Sequence, residues 1–260
     1  MAEIIAIASG KGGVGKSTTT ANLGTALAMM GKKILMIDGD IGLRNLDLIL
    51  GMQNSIAYDF NDVLNDRCTS EQAIMADEKY PGLHLLPAPQ NAEIDDIDEE
   101  KLNDLISKLS PYYDYILIDC PAGIHDGFML MSSKADKALI VATPELISVR
   151  DADMAISKLE DLHFDEIYLI INKVSVEMVK SGEMMAIDDI INIVAVPLIG
   201  AIPDEKDVIH ANNIGKPVVL KTRSRAGMAY ANIAKRITGV KVPILQDEKK
   251  GFFGFRRKRK

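Results

Sequence analysis

The residues with the clearest capacity for chemistry form one glycine-rich stretch near the start of the chain, where Gly10 to Ser17 satisfies the pattern G-x-x-x-x-G-K-S/T. An apolar run over residues 4–8 precedes it and predicts a short buried strand, and the small and aliphatic residues 19–30 predict a helix after it. Glycines let backbone N–H groups curl around an anion, and a helix N-terminus adds partial positive charge. The stretch is therefore predicted to bind the phosphates of a nucleotide. The candidate nucleotide-binding residues in it are Gly10, Lys11, Gly12, Gly13, Val14, Gly15, Lys16, Ser17 and Thr18.

Lys16 and Ser17 have distinct predicted tasks in this loop. A lysine at this position reaches the β and γ phosphates of a bound nucleotide, and the neighbouring hydroxyl holds Mg²⁺. We therefore expect Lys16 to be catalytic and Ser17 to be a metal ligand. Lys11 is a second cation in the loop, and a site built from one subunit has no evident task for it.

Three aspartates lie at or just beyond the ends of two other apolar runs that predict buried strands. Residues 33–38 end in Asp38, with Asp40 two residues later, and residues 113–119 end in Asp119. The carboxyl ends of parallel strands meet at one edge of a sheet, which is where ligands bind. Beside a phosphate loop, Asp119 is predicted to hold Mg²⁺ through water, and Asp38 and Asp40 are predicted to handle metal or water.

Composition sets limits on the class of protein. The 260 residues are 47% apolar, which suits one large α/β domain, and no apolar run reaches the roughly 18 residues of a membrane span. Cys68 and Cys120 are too few for a disulfide framework and form no C-x-x-C pair for an iron–sulfur or zinc site. The first residues lack the layout of a signal peptide, so we expect a cytoplasmic protein.

The C-terminal end differs from the rest of the chain in charge. Residues 249–260 hold seven basic residues and no acidic one, and removing them from the net charge of −7 leaves −14 on residues 1–248. An acidic body disfavours a broad nucleic-acid-binding face. Aromatic rings among cations are typical of a segment that binds an anionic membrane surface, and the alternative is a basic tail that binds nucleic acid or nothing. The candidate membrane-binding residues are Phe252, Phe253, Phe255, Arg256 and Arg257.

Apolar runs alternate with helical patterns along the chain, and most runs are apolar almost throughout. This combination predicts an α/β fold with three layers, in which a mostly parallel, twisted sheet is covered by helices on both faces. One helix is predicted to begin with Ser148 as its N-cap and to run to about residue 162, and another is predicted to begin after Asp98. We predict one domain over residues 1–243 and a flexible basic, aromatic tail over residues 244–260.

Several of these features resemble one family, the ParA/MinD superfamily of ATPases with a deviant Walker A motif. The loop K-G-G-V-G-K-S includes the additional Lys11, and residues 38–47 match the pattern D-x-D-x-G-L-R-N-L-D of the MinD branch. Residues 119–123 resemble its second switch, and the S-V-R-D helix start at residue 148 and the tail are also similar. The resemblance implies a P-loop NTPase fold, ATP and Mg²⁺ as cofactors, and slow, partner-stimulated ATP hydrolysis.

The resemblance also implies roles for individual residues. Lys11 would reach across a homodimer to the nucleotide of the second copy, where its charge would assist catalysis. Asp40 would orient the attacking water, and Asp38 would support the Mg²⁺ shell. Gly123 would sense the γ-phosphate through its backbone N–H.

Two further groups of residues are implied in the same way. Asn172, Pro203 and Asp204 would lie near adenine. A guanine-reading N-K-x-D motif is incomplete here, because residue 175 is Ser where that motif has Asp. A second group would lie near the dimer interface, where regulators compete to bind. Its members are Arg44, Asp151 and Asp153.

The function implied by the resemblance is an ATP-dependent dimer that cycles on the membrane and positions the cell-division site. Its implied partners are a MinC-like division inhibitor, a MinE-like or other topological regulator, and an anionic membrane surface, with no specific nucleic acid. The implied location is cytoplasmic and peripheral, on the inner face of the cell membrane. The alternatives are a ParA-type ATPase that segregates DNA or plasmids and a flagellar-number regulator of the MinD family.

Overall fold

The computed structural model describes residues 1–244 of the chain. The predicted membrane-binding residues lie outside the described residues, and so does nearly all of the predicted tail. Those residues are Phe252, Phe253, Phe255, Arg256 and Arg257.

Eight strands form one sheet, with the order β3-β4-β2-β5-β1-β6-β7-β8. All neighbouring strands pair in parallel except β3, which pairs with β4 in the antiparallel direction. The strands are β1 (Glu3–Ala8), β2 (Ile34–Asp38), β3 (Met75–Ala76), β4 (Leu83–Leu86), β5 (Tyr115–Asp119), β6 (Lys137–Ala142), β7 (Ile167–Val174) and β8 (Leu198–Pro203).

Helices connect the strands, and within residues 1–244 none is long and apolar enough to cross a membrane. The α-helices are α1 (Lys16–Met29), α2 (Leu46–Leu50), α3 (Phe60–Leu64), α4 (Ser70–Ala73), α5 (Glu99–Leu109), α6 (Asp126–Ser132), α7 (Leu146–Asp161), α8 (Val176–Ser181), α9 (Ile187–Val194), α10 (Lys206–Asn213) and α11 (Arg225–Ile237). Short 3₁₀ turns cover Gln53–Ser55, Ile94–Asp96, Ser110–Tyr112 and Val218–Leu220.

The sheet separates two hydrophobic cores, one on each face. Alternate residues of β1 belong to different cores, so that Ile4 packs in one and Ile5 in the other. The first core includes residues from α3, α5 and α7, and the second includes residues from α1, α2 and α11. A strand buried on both faces needs apolar residues at every position, which is why the strands were recognisable as continuous apolar runs. The prediction of a mostly parallel sheet with helices on both faces is confirmed.

The strand order brings the predicted site together. β5 lies between β1 and β2, and Asp119 is the register partner of both Ile7 and Asp38. The phosphate loop that follows β1 therefore emerges beside both aspartates, at the carboxyl edge of the sheet.

The predicted cap of α7 is wrong. The helix begins at Leu146 with Glu145 in the N-cap position, and Ser148 lies buried in its first turn. The Ser148 hydroxyl instead accepts a hydrogen bond from the backbone N–H of Thr143 (2.9 Å), which ties the helix to the end of β6. The predicted cap of α5 is confirmed, because the Asp98 side chain accepts from the N–H of Lys101.

Two other predicted bounds also differ. α1 begins at Lys16 rather than at residue 19, and β5 begins at Tyr115 rather than at residue 113. The short helices α2, α6, α8 and α9 were not predicted from the sequence. Helices of five to eight residues offer too few turns for a periodic apolar pattern to be distinctive.

Candidate nucleotide-binding and catalytic site

The phosphate loop connects β1 to α1 and packs against α7. Gly15 is the N-cap of α1 and has left-handed backbone angles (φ 93°), which favour glycine. Gly10 lies against α7, and a Cβ at this position would be 2.0 Å from the backbone oxygen of Asp151. Gly15 is therefore required by the backbone conformation of the loop, and Gly10 is required by the contact of the loop with α7.

Lys16 is held inside the site by Asp119. Its Nζ lies 3.1 Å from Asp119 Oδ1, and both side chains are buried. The Thr20 hydroxyl donates to the same carboxylate oxygen (2.9 Å). Burial alone would lower the pKa of Lys16, but the neighbouring Asp119 carboxylate outweighs burial and raises it. Lys16 is thus a fully charged ammonium group at the base of the loop.

Asp38 and Asp119 form a pair of buried carboxylates on adjacent strands. Burial, together with the charge of Asp119, raises the pKa of Asp38 to about 7. Asp119 Oδ2 is buried and has no hydrogen-bond partner in the described part of the chain. The carboxylates of Asp38 and Asp119 thus lie near a single ammonium group, that of Lys16, and Asp119 Oδ2 has no hydrogen-bond partner among the described residues. This charge balance fits a divalent cation.

The hydroxyl of Ser17 would complete such a cation site. Ser17 follows Lys16 in the first turn of α1 and is partly exposed. Among residues 1–244, no cluster of three or more His, Cys, Asp or Glu side chains is arranged to hold a metal. At nucleotide sites Mg²⁺ takes ligands from a hydroxyl, water and phosphate oxygens, and the Ser17 hydroxyl is a group of this kind.

The segment after β2 is organised around Asp38. Its two carboxylate oxygens accept hydrogen bonds from the backbone N–H groups of Asp40 (3.0 Å) and Leu46 (3.1 Å). Asp40 accepts a hydrogen bond from the Asn45 side chain (3.1 Å), and partial burial raises its pKa while the charge of Lys16 opposes the rise. Asp40 thus lies half-buried near the loop, with a carboxylate available to orient water.

Gly123 lies on the other side of the loop. Its N–H donates to the carbonyl of Ser9 (3.0 Å), and its φ of 95° is in the left-handed region. A cleft of about 230 Å³ opens beside it, lined by Gly10, Gly123, Ile124, His125, Asp151 and Met154. The predicted sensor is therefore bonded to the loop that it would report on.

Lys11 does not point into the site of its own chain. Its Nζ lies 3.2 Å from Glu145 Oε2, and the two side chains are 31% and 60% exposed. An exposed ion pair of this kind contributes about 0–1 kcal/mol and breaks easily.

The predicted adenine-binding residues lie at the ends of β7 and β8. Asn172 is buried, and its side-chain amide donates to the carbonyl of Val14 (2.7 Å). The N–H of Asp204 donates to the carbonyl of Val174 (3.0 Å), which joins the two strand ends beside Pro203. The structure thus places Asn172 against the phosphate loop, and its contact with adenine stays a prediction.

The residues predicted to lie at the dimer interface are partly buried, and Arg44 is paired within its own chain. Arg44 Nε lies 3.0 Å from Asp47 Oδ2, and the Arg44 side chain is 16% exposed. Asp151 and Asp153 are half-buried on α7, and Asp151 lines the cleft beside Gly123. Their place at an interface stays a prediction.

Thr20, Glu145 and Lys173 contact the site and were missed from the sequence. Thr20 lies one helical turn after Lys16, so its position on the same face of α1 was available as a signal. Glu145 contacts Lys11 from 134 residues away in the sequence, and Lys173 contacts Gly13 from 160 residues away. No local sequence pattern indicates either contact.

Comparison with known proteins identifies the family. Residues 5–218 match the model of the CobQ/CobB/MinD/ParA nucleotide binding domain. The septum site-determining protein MinD of Synechocystis sp. is 48% identical over 246 residues, which cover 94% of this chain and 92% of that protein. The chain belongs to the MinD family.

Solved structures agree with this assignment to the MinD family. The MinC:MinD cell division protein complex of Aquifex aeolicus has a chain that matches with a TM-score of 0.89 and 46% identity, covering 94% of this chain and 99% of that one. The septum site-determining protein MinD of Pyrococcus horikoshii, complexed with Mg-ADP, matches with a TM-score of 0.82 and 32% identity, covering 91% and 96%.

The MinD-family fold and activity follow from these matches. The protein is a P-loop ATPase of cell division that uses ATP and Mg²⁺, so the predicted family, fold class, enzymatic activity and cofactors are confirmed. The roles of individual residues, the domain bounds, dimerisation and membrane binding stay predictions.

Proposed function

We propose that this MinD-family ATPase binds MgATP at the carboxyl edge of its sheet, dimerises face to face, and cycles on an anionic membrane to position the division site. The proposed partners are a second copy of the chain, a MinC-like inhibitor and a MinE-like or other regulator, and the proposed location is the cytoplasmic face of the cell membrane. The observation that carries the proposal is the meeting of the phosphate loop, Asp38, Asp40 and Asp119 at one edge in a chain of this family.

Lys16 changes partners in the proposed mechanism. In this structure Lys16 is bonded to Asp119. Bound MgATP supplies the phosphoryl group and a cation that neutralises the charge on its oxygens. Lys16 would turn from Asp119 to the β and γ phosphates, and the Asp119 carboxylate would help to hold Mg²⁺. The exchange would leave both the Lys16 ammonium and the Asp119 carboxylate beside an opposite charge, which a buried charge requires.

Asp40 and Gly123 respond to the γ-phosphate from opposite sides of the loop. Asp40 orients the attacking water, and its position depends on Asp38, which accepts the N–H of Asp40. Gly123, whose N–H donates to the Ser9 carbonyl, would exchange that bond for one to the γ-phosphate, and the segment around it would be released when that phosphate leaves. Through the segments around Asp40 and Gly123, hydrolysis would therefore change the surface that the protein presents to its partners.

Lys11 links the site to a second copy. Because its bond to Glu145 is exposed, Lys11 can leave it without exposing buried surface. In the dimer, its ammonium stabilises the negative charge that develops on the partner's nucleotide. ATP thereby holds the two copies together until it is hydrolysed.

Dimerisation strengthens membrane binding because it joins two tails. Each basic residue near an anionic surface contributes about 1 kcal/mol, and ordering a tail offsets part of this gain. One tail therefore binds weakly, whereas the second tail of a dimer binds at a high effective concentration. We assign this role to residues 244–260 and the ATPase domain to residues 1–243.

Co-sedimentation with vesicles tests the proposal. Full-length protein and a variant ending at residue 248 are mixed with phosphatidylglycerol vesicles, with neutral phosphatidylcholine vesicles, or with DNA, each with ATP or ADP. A triple variant, Phe252→Ser, Phe253→Ser and Phe255→Ser, keeps every charge and isolates the contribution of the rings. The proposal predicts ATP-dependent binding of the full chain to anionic vesicles, weaker binding of the triple variant, and none of the shortened chain. ATP-dependent binding to DNA rather than vesicles, or binding that survives removal of the tail, would contradict it.

A further inference from the structure

Lys173 contacts the phosphate loop, and the mechanism above gives it no task. Its Nζ donates to the carbonyl of Gly13 (2.7 Å) from the end of β7. The preceding residue, Asn172, donates from its side chain to the next carbonyl of the loop, that of Val14 (2.7 Å). Two neighbouring side chains thus hold two consecutive carbonyls of the loop.

Holding these carbonyls also fixes the direction of two N–H groups. In a trans peptide the C=O and the following N–H point in opposite directions, and there is no cis peptide in residues 1–244. With the carbonyls of Gly13 and Val14 directed at β7, the N–H groups of Val14 and Gly15 point away from it. A loop that binds phosphate needs such N–H groups to be oriented before the anion arrives.

The backbone of Lys173 is strained in a way that serves this contact. Its φ is 57°, in the left-handed region that residues other than glycine rarely adopt. The Asn172 side chain stabilises this conformation by accepting the Lys173 N–H (2.9 Å). Although Lys173 is exposed, its ammonium is bonded to the loop, 160 residues away in sequence. Strain that the surroundings maintain at a site is a sign of function.

We propose that Lys173 is a positioning residue for nucleotide binding. Its ammonium turns the Gly13–Val14 peptide so that the loop is preset for the phosphates, and its charge adds to the attraction for them. Lys173 does not touch the reacting atoms. The inference rests on the proposed nucleotide site and adds a residue that sets affinity rather than the rate of the chemical step.

Three substitutions at this position separate its contributions. Lys173→Met keeps most of the stem and removes the ammonium, whereas Lys173→Arg keeps a cation that can reach the carbonyl. Lys173→Gly removes the side chain but adopts the left-handed conformation without strain. Lys180→Met, on an exposed lysine of α8, is the matched control for the loss of one charge. Lys16→Ala defines the loss of the proposed site itself.

The measurements are the Kd of MgADP by titration calorimetry, KM and kcat for ATP, and the thermal midpoint of each variant. Without the ammonium, the loop is oriented only when the nucleotide binds, so Lys173→Met should bind MgADP about five- to tenfold more weakly and have a higher KM, with kcat at saturating ATP within about twofold of the parent. Lys173→Arg and Lys180→Met are expected within about twofold of the parent in every constant. Lys173→Gly is expected to bind as weakly as Lys173→Met without a lower thermal midpoint.

The outcomes distinguish this inference from the proposed site. An unchanged Kd in Lys173→Met, a defect that Lys173→Arg does not rescue, or a fall in kcat with KM unchanged would overturn the role of Lys173. A thermal midpoint of Lys173→Gly that falls together with affinity would indicate a structural role only, and would also overturn it. Failure of the parent to bind nucleotide, or normal binding by Lys16→Ala, would instead contradict the proposed site.

Discussion

At the scale of single residues, the site is dominated by an imbalance of buried charge. Asp38 and Asp119 are both fully buried, and Lys16 is the ammonium group nearest to them. The imbalance raises the pKa of Asp38 to about 7, first through burial and then through the charge of Asp119. Removing these carboxylates from water costs stability, and the cation that the nucleotide brings offsets that cost.

The titration of Asp38 predicts how stability depends on pH without nucleotide and Mg²⁺. Because its folded pKa is raised above the unfolded value, Asp38 stabilises the fold most when it is protonated, below about pH 4. This contribution is lost as pH rises through the folded pKa of about 7. Asp38→Asn cannot titrate, so its stability relative to the parent should increase with pH by at most about 1.4 kcal/mol per pH unit within that window.

Urea unfolding of the parent and Asp38→Asn between pH 5 and pH 8 measures this difference. Taking the difference in the free energy of unfolding between the two proteins cancels the titration of other groups. Replacing the carboxylate oxygen changes this difference by a constant amount and does not affect its slope with pH. Two profiles that run parallel over this range would show that the Asp38 pKa is not raised.

At the scale of elements, the contact between the phosphate loop and α7 connects the site to the surface. Gly10 packs directly on the backbone of Asp151, and the same part of α7 lines the cleft beside Gly123. Glu145, in the N-cap position of α7, binds Lys11. We therefore expect a change in the loop on nucleotide binding to be transmitted to the first turns of α7.

Gly10→Ala tests the closeness of this contact. Its Cβ would lie 2.0 Å from the Asp151 oxygen, so loop and helix must separate, at a cost of about 1–3 kcal/mol in the free energy of unfolding. Gly12→Ala in the same loop is the control, because its Cβ would meet its nearest neighbour at 4.0 Å. Urea unfolding without nucleotide should show a loss for Gly10→Ala and a change within about 0.5 kcal/mol for Gly12→Ala. Equal losses would mean that the helix contact is not what requires glycine.

Local signals in the sequence account for most of the elements and for the catalytic loop. The continuous apolar runs identify the parallel strands, and the spacing from Gly10 to Ser17 identifies the loop, because both depend on neighbouring residues. The predicted N-cap of α7 was wrong. Ser148 is a good capping residue, but its hydroxyl accepts a hydrogen bond from the backbone N–H of Thr143 instead. Here a tertiary hydrogen bond outweighed a local preference.

Contacts between distant residues explain what the sequence could not show. The bond from Lys173 to Gly13 and the pair of Lys11 with Glu145 depend on the strand order, which brings β6 and β7 to one side of β1. The position of Asn172 against the loop is set in the same way. The identities of Lys11 and Asn172 suggested a nucleotide site, but only the fold shows which atoms they contact.

At the scale of the whole molecule, we propose that ATP joins two copies of the chain through Lys11. The exposed pair of Lys11 with Glu145 holds the lysine beside its own loop in the single chain, at little energetic cost to release. Replacing Glu145 with Gln removes the carboxylate that competes with the partner's nucleotide for Lys11, and it keeps the side chain at nearly the same size. Replacing Lys11 with Ala removes the group that crosses to the partner.

Sedimentation velocity with a non-hydrolysable ATP analogue and Mg²⁺ measures the dimerisation that Lys11 is proposed to support. We expect the parent to sediment as a dimer with the analogue and as a monomer with ADP, Glu145→Gln to dimerise at least as readily, and Lys11→Ala to stay monomeric. A Lys11→Ala protein that dimerises as readily as the parent would show that Lys11 does not join the two copies.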